Sequence, residues 1–296
     1  MTTPSGIAPR RTAPWVPAPA YFGISAIFHY LGPAFAVLLF ARVDVLGVVW
    51  LRIASAAVVF AVWRRPWRLV RRLKPEQRRV LLGLGVVLAA MNATFYLAIA
   101  RLPLATVGAI EFLGTIVLAA IGVRNGRNVI ALVLAVGGVV ALTDIQLAGE
   151  PFGFVFAFVN CALFMLYVVL GHRIANTGAG LSGIDQLGAA MLIAAVVATP
   201  FCIGAAAPAF TSPAALLAGA SVGICSSVIP YVTDQLAMAR LRRNTFALML
   251  SILPAVATAI GIVVLTQVPT IQELTGIALI AGGVSVHQEP RESKEN

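Results

Sequence analysis

Apolar residues in this chain run in stretches about as long as a bilayer is thick, and that limits the fold more than any other feature. A spanning helix needs roughly 20 predominantly apolar residues, because the hydrocarbon core is about 30 Å deep. Ten such stretches can be read: Ala20 to Ala41, Val45 to Trp63, Val80 to Ile99, Leu102 to Gly122, Val129 to Gln146, Phe152 to Gly171, Asp185 to Gly204, Ala214 to Met238, Asn244 to Val264 and Ile271 to Val286. Of the 296 residues 60% are hydrophobic and 11% charged, against about 45–50% and about 25% in soluble domains. An ordinary cytosolic enzyme is thereby excluded, and the expected fold is an all-α membrane protein of ten transmembrane helices. Residues 1–19, rich in Pro, Ala and Thr, read as a disordered cytoplasmic leader, and residues 287–296 as a cytoplasmic tail. Arg10 and Arg11 superficially suggest a twin-arginine export signal, but a long first span and nine more follow. The three cysteines, Cys161, Cys202 and Cys225, lie inside apolar runs without metal-ligand spacing, so neither a disulfide framework, a metal site nor a cofactor is expected.

Orientation follows from Lys and Arg, which stay on the cytoplasmic side of spans. With the N-terminus inside, eighteen of them fall in cytoplasmic segments and only Arg42 and Arg101 outside, with Arg52 inside a span. Both termini are then cytoplasmic. Eight of the eighteen lie between Arg64 and Arg79. This run reads as a topology determinant beside anionic headgroups, which removes the need for a nucleic-acid partner despite a net charge of +10.

The two halves, 20–146 and 152–286, repeat one another. Arg52-Ile-Ala-Ser-Ala precedes Pro66 by 14 residues, as Gln186-Leu-Gly-Ala-Ala precedes Pro200. Ala100-Arg101-Leu102 with Thr106 matches Ala239-Arg240-Leu241 with Thr245, and Gly137-Gly138-Val139 matches Gly282-Gly283-Val284. Because each half has an odd number of spans, the second must enter the membrane from the opposite side. Such inverted repeats are a frame on which secondary transporters build alternating access.

Ionisable residues at bilayer depth are costly and mark cavities or partners. Four stand out: His29, Arg52, Glu111 and Asp234. Helical spacing puts His29 on a face with Ser25, Gly32 and Pro33, Glu111 with Gly108 and Thr115, and Asp234 with Ser227, Pro230 and Tyr231. Pro33 also frees the carbonyl of His29. Asn92 and Tyr96 share a face of span three, and Tyr30 and Gln235 complete the polar set. Arg52 is open to two roles, a tie to one of the acids or a clamp for a substrate carboxylate, since a guanidinium can grip a carboxylate with two parallel bonds. Glu111 and Asp234 are the expected coupling carboxylates: desolvation favours a neutral carboxyl, a nearby arginine a charged one, and substrate or conformation can tip that balance. The other five, with His29, are expected to shape a substrate cavity.

These residues resemble the EamA-type branch of the drug/metabolite transporter superfamily, and within it the threonine/homoserine exporter-like proteins. The carriers are Phe95-Tyr96-Leu97-Ala98-Ile99, Leu102-Pro103-Leu104 and Ala109-Ile110-Glu111-Phe112 in the first half. In the second they are Ile229-Pro230-Tyr231 through Asp234, Leu236-Ala237 and Thr245-Phe246-Ala247-Leu248-Met249. The resemblance implies a bacterial inner-membrane exporter of small polar metabolites such as amino acids, working by proton antiport, and it is compatible with a homodimer. Three departures stand out. Gly114-Thr115 replaces a common Gly-Pro, Leu253 replaces a glutamate before Pro254, and Asp234 stands where Glu is commoner.

Other functions are weaker. Gly180-Leu181-Ser182-Gly183 has the form of an intramembrane serine-protease motif, but His29, His172 and His287 lie in span one, the adjoining loop and the tail. No HExxH helix and no Walker loop is present. Alternatives that keep the bundle are an exporter of drugs or nucleotide-related metabolites, a passive channel, and a purely structural subunit.

Overall fold

The computed structural model describes residues 17–122, 125–146, 150–175, 182–238, 240, 249–250 and 252–286. All regular structure among them is helical. The helices are α1 (Ala18–Leu39), α2 (Val45–Arg64), α3 (Trp67–Arg72), α4 (Pro75–Ile99), α5 (Leu104–Gly122), α6 (Gly126–Gln146), α7 (Pro151–Ala175), α8 (Gly183–Phe210), α9 (Pro213–Gly223), a π-helical turn (Ile224–Val228), α10 (Ile229–Met238), α11 (Leu253–Leu265) and α12 (Ile271–Val286). Six of the described helices are long and apolar enough to span a membrane, α9 to α10 counting as one, and four shorter apolar ones accompany them.

Side chains and prolines at the helix ends explain where each starts and stops. Asp44 accepts from the amide of Leu46 at 2.9 Å and starts α2, which stops where Arg65 turns left-handed (φ 49°) just before Pro66. Pro75 and Pro213 occupy first-turn positions where a missing N–H costs nothing. Ser182 and Ser212 accept from the amides of Asp185 and Ala215, as N-caps do. At α12, Thr270 and Glu273 cap each other: the hydroxyl accepts from the Glu273 amide and the carboxylate from the Thr270 amide.

Four expectations change. The span read as Asp185 to Gly204 runs on to Phe210, through Pro200 and Pro208, because a membrane helix tolerates proline where other groups take up the freed carbonyls. The basic stretch after α2 contains the short helix α3. The span read as one helix from Ala214 to Met238 is broken by the π turn, in which Ile229 donates to the carbonyl of Ile224. Pro230 explains the break: it has no N–H for the preceding carbonyls, so the α-helical ladder cannot continue through it. The span read from Asn244 is seen from Leu253 to Leu265; positions 244–248 and 251 lie outside the described residues, as do most of the leader and all of the tail.

Helices that cannot gain hydrophobic free energy against lipid associate by close packing over small residues. α6 and α12 meet this way, since a Cβ on Gly138 would sit 2.6 Å from the carbonyl oxygen of Gly276, and one on Gly276 2.8 Å from that of Gly138. α2 lies on α8 through Gly47 and Gly188, and α4 on α8 through Gly85. The π turn is wedged between α1 and α2, where Gly32 packs on Ser226 and Gly223 on the carbonyl of Arg52. The remaining large contacts are α4 with α7, α1 with α10, α2 with α9, α5 with α7 and α1 with α11. At the end of the bundle carrying the basic run, Arg64 bonds Asp185 at 2.7 Å and joins α2 to α8. Both side chains are about a third exposed or less, so the pair contributes about 1 kcal/mol at most.

Candidate functional site

Midway along the helices, α1, α2, α4, α5, α7 and α10 leave a small cavity of about 20 Å³. Its wall holds His29 and Pro33 from α1, Arg52 from α2, Met91, Asn92 and Phe95 from α4, Glu111 from α5, Asn160 from α7 and Tyr231 from α10. That is room for about one water, far short of the roughly 300–1,000 Å³ of ordinary small-molecule pockets, so the site is closed around its polar groups in this state and admits a solute only when these helices part.

One wall is an acceptor cluster. Asn160 donates through Nδ2 to Glu111 Oε1 at 3.1 Å, and both residues are buried. The second oxygen of Glu111 and the carbonyl oxygen of Asn160 are buried without a hydrogen-bond partner among the described residues. Two such acceptors side by side are expensive to leave unmet, about 1–3 kcal/mol each and more for a charged group, and together they match the donors of an ammonium. Asn92 Nδ2 donates one of its two N–H groups to the carbonyl of Leu88, at 2.7 Å.

Arg52 brings donors to the same cavity. Arg52 is 6% exposed, donates through Nε to Ser227 Oγ at 2.9 Å and through Nη2 to the Ser226 carbonyl at 3.1 Å, and lies 4.9 Å over the ring of Tyr96. Pro230, four residues on, denies the Ser226 carbonyl its α-helical partner, so Arg52 holds the π turn in place. The guanidinium has five N–H groups, which leaves it donors beyond those two bonds. The expected tie between Arg52 and a carboxylate is not formed: neither Arg52, Glu111 nor Asp234 is in an ion pair among the described residues. The two roles left open for Arg52 are joined by a third, support of the π turn.

The structure places His29, Arg52, Asn92, Glu111 and Tyr231 around the one cavity. Tyr30 and Tyr96 form the layer behind them, fully buried, with their hydroxyls unpartnered among the described residues and that of Tyr30 beside Gly108. Asp234 and Gln235 are not in the wall. Asp234 lies a turn further along α10, with the Ser25 hydroxyl in hydrogen-bond reach, and that hydroxyl also reaches the Pro230 carbonyl at 3.1 Å. Gln235 presses its side-chain amide on Gly183 at the start of α8. Asn160 was missed, although a lone amide between Phe152 and Gly171 is as conspicuous as Asn92 in its own span. Among the described residues no three His, Cys, Asp or Glu side chains gather as metal ligands.

The chain is 32% identical over 272 residues to the threonine/homoserine exporter RhtA of Salmonella typhimurium (strain SL1344), covering 88% of this chain and 89% of that protein. It is equally similar, 32% over 262 residues, to the protein of the same name in Escherichia coli (strain K12), covering 86% and 84%. A solved crystal structure superposes over 90% of this chain and 96% of its own with a TM-score of 0.58; at 20% identity that likeness concerns the fold alone. No family model matches.

Proposed function

The chain belongs to the family of the RhtA threonine/homoserine exporters within the EamA-type drug/metabolite transporters, and we propose that it exports small zwitterionic amino acids such as threonine and homoserine from the cytoplasm in exchange for protons. It is a multi-pass inner-membrane transporter. The observation that supports the substrate reading is the grouping, around one small central cavity, of the Glu111 and Asn160 acceptors with the guanidinium of Arg52. An amino acid offers the complement of both: its ammonium goes to Glu111 Oε2 and Asn160 Oδ1, and its carboxylate to the remaining N–H groups of Arg52. His29, Asn92 and Tyr231 are left for the side-chain hydroxyl.

Proton exchange follows from giving one carboxylate two competing cations. An ammonium binds Glu111 when it is ionised, and a proton on Glu111 removes that attraction. A site that can hold one or the other, and that opens to each side in turn, couples outward movement of the amino acid to inward movement of the proton. Asp234, a turn toward the end that carries the basic run, is a second station for the same proton.

Alternating access is supported by the pattern of helix contacts. Exchange each helix for its counterpart five spans away, and α2 on α8 and α6 on α12 map onto themselves, α4 on α7 maps onto α1 on α10, α4 on α8 onto α2 on α9, and α5 on α7 onto α1 on α11. Two halves related by a two-fold axis in the membrane plane give this pattern. With both termini cytoplasmic, the Arg64 to Arg79 segment faces inward.

Counterflow in proteoliposomes tests the function. Vesicles loaded with unlabelled threonine should accumulate labelled threonine above equilibrium, saturably, and faster still into vesicles more acidic inside than out. Flux linear in concentration without counterflow would make the chain a channel. Absence of flux with threonine, homoserine or other amino acids would turn the reading toward nucleotide-related solutes.

A further inference from the structure

The guanidinium of arginine is planar, and its five N–H groups point along fixed directions in that plane. Nε and Nη2 share one edge of the plane, Nη1 and Nη2 the adjoining one, and each edge can bind two acceptors side by side. In Arg52 the first edge is filled by the π turn: Nε donates to Ser227 Oγ at 2.9 Å and Nη2 to the Ser226 carbonyl at 3.1 Å. Two consecutive residues thus supply the two acceptors of one fork, Ser226 through its main chain and Ser227 through its side chain. Both serines are buried, and the bond to Arg52 is the only one the Ser227 side chain makes among the described residues. One face of the guanidinium is occupied too, since it lies 4.9 Å over the ring of Tyr96. An edge and a face held together leave the group one orientation. The second edge is different: Nη1 has no hydrogen-bond partner among the described residues, yet it is not sealed off, and Arg52 lines the central cavity.

We propose that Ser227 is a positioning residue for substrate recognition: by holding Nε it aims the Nη1–Nη2 edge of Arg52 at the cavity and so sets the preference for solutes that carry a carboxylate. This rests on the reading of the chain as an amino-acid exporter and names the part of the fold that recognises one end of the substrate. A carboxylate presents two oxygens to Nη1 and Nη2 in parallel, whereas a hydroxyl presents one, so an aimed edge separates ligands that a loosely held cation does not. Without the Ser227 oxygen the plane can turn about its remaining bond; the charge stays and the aim is lost. The two bonds join α2 to the π turn and not to α5 or α7, so they can persist while the cavity widens to admit a solute.

Equilibrium dialysis of the purified full chain in detergent tests it, with labelled L-threonine as the probe and unlabelled L-threonine or L-threoninol, the amino alcohol that lacks the carboxylate, as competitor. Wild type is expected to prefer threonine about tenfold or more. Ser227→Ala, which removes one oxygen and adds no bulk, should weaken threonine about tenfold and leave threoninol as it was, so the preference shrinks by the same factor. Ser227→Thr, which keeps the hydroxyl, should keep the preference. A serine that only supported the fold would, when replaced, weaken both ligands alike. Equal losses, no loss of either, or a wild type without the preference overturns the role of Ser227, while threonine binding by wild type leaves the export reading standing. No threonine binding by wild type overturns both.

Discussion

Glu111→Gln is expected to fold like wild type and to lose transport. Glutamine has the shape of glutamate, keeps an oxygen to accept from Asn160 Nδ2, and takes a costly charge out of the membrane. What it removes is the ionic partner of the substrate ammonium and the one carboxylate among the described residues of the cavity wall. A hydrogen bond to a charged group is worth about 1.5–3 kcal/mol, so threonine affinity should fall roughly 10- to 150-fold. Acceleration of uptake by an acidic vesicle interior should vanish even at saturating threonine. The thermal midpoint in detergent should stay level or rise, because a buried charge has been neutralised. Counterflow and a melting curve on the same preparation check both halves. Unchanged flux would reduce Glu111 to a packing residue.

Arg52→Ala should, in contrast, damage the fold as well as transport. The side chain it deletes holds the Ser226 carbonyl and the Ser227 hydroxyl and fills the space over Tyr96. Leaving a buried carbonyl unmet costs about 1–3 kcal/mol, and a cavity beside it adds to that, for about 2–4 kcal/mol in all. The thermal midpoint should drop by several degrees and threonine flux should disappear. Arg52→Lys keeps the charge but not the fork, since an ammonium cannot serve the hydroxyl and the carbonyl from the same geometry while reaching a substrate. It should recover part of the stability and little of the transport. If Arg52 were only a substrate clamp, alanine would abolish transport at unchanged stability, and the two measurements together separate these roles.

The spans were legible because lipid cannot satisfy a backbone, so each crossing must be a closed helix of apolar residues, and hydropathy reads that directly. Arg52, Glu111, His29, Asn92 and Tyr231 were legible for the same reason: a polar group in such a run stands against a clean background. The placing of Asp234 and Gln235 was not, because helical spacing gives a side chain's face and not its depth, and Asp234 stands a turn beyond the Tyr231 that reaches the wall. The alignment of Asp234 with Ser227 assumed an unbroken 3.6-residue period, whereas a π turn inserts one residue and rotates all that follows by roughly 100°. Pro230 announces a disturbance of the ladder, but its form depends on Gly32 and Gly223 letting α1 and α2 close on the turn, a tertiary fact that local sequence does not carry. The partnership of Arg52 with a backbone carbonyl was hidden likewise, because charge arithmetic looks for carboxylates and overlooks a carbonyl orphaned by proline.

The most direct test of the central claim is the structure of the chain in a lipid nanodisc saturated with threonine, determined by electron cryomicroscopy. The account predicts density in the mid-membrane cavity bridging the Glu111–Asn160 pair to the guanidinium of Arg52. Density elsewhere in the bundle with that cavity empty, at a threonine concentration that saturates transport, would contradict it.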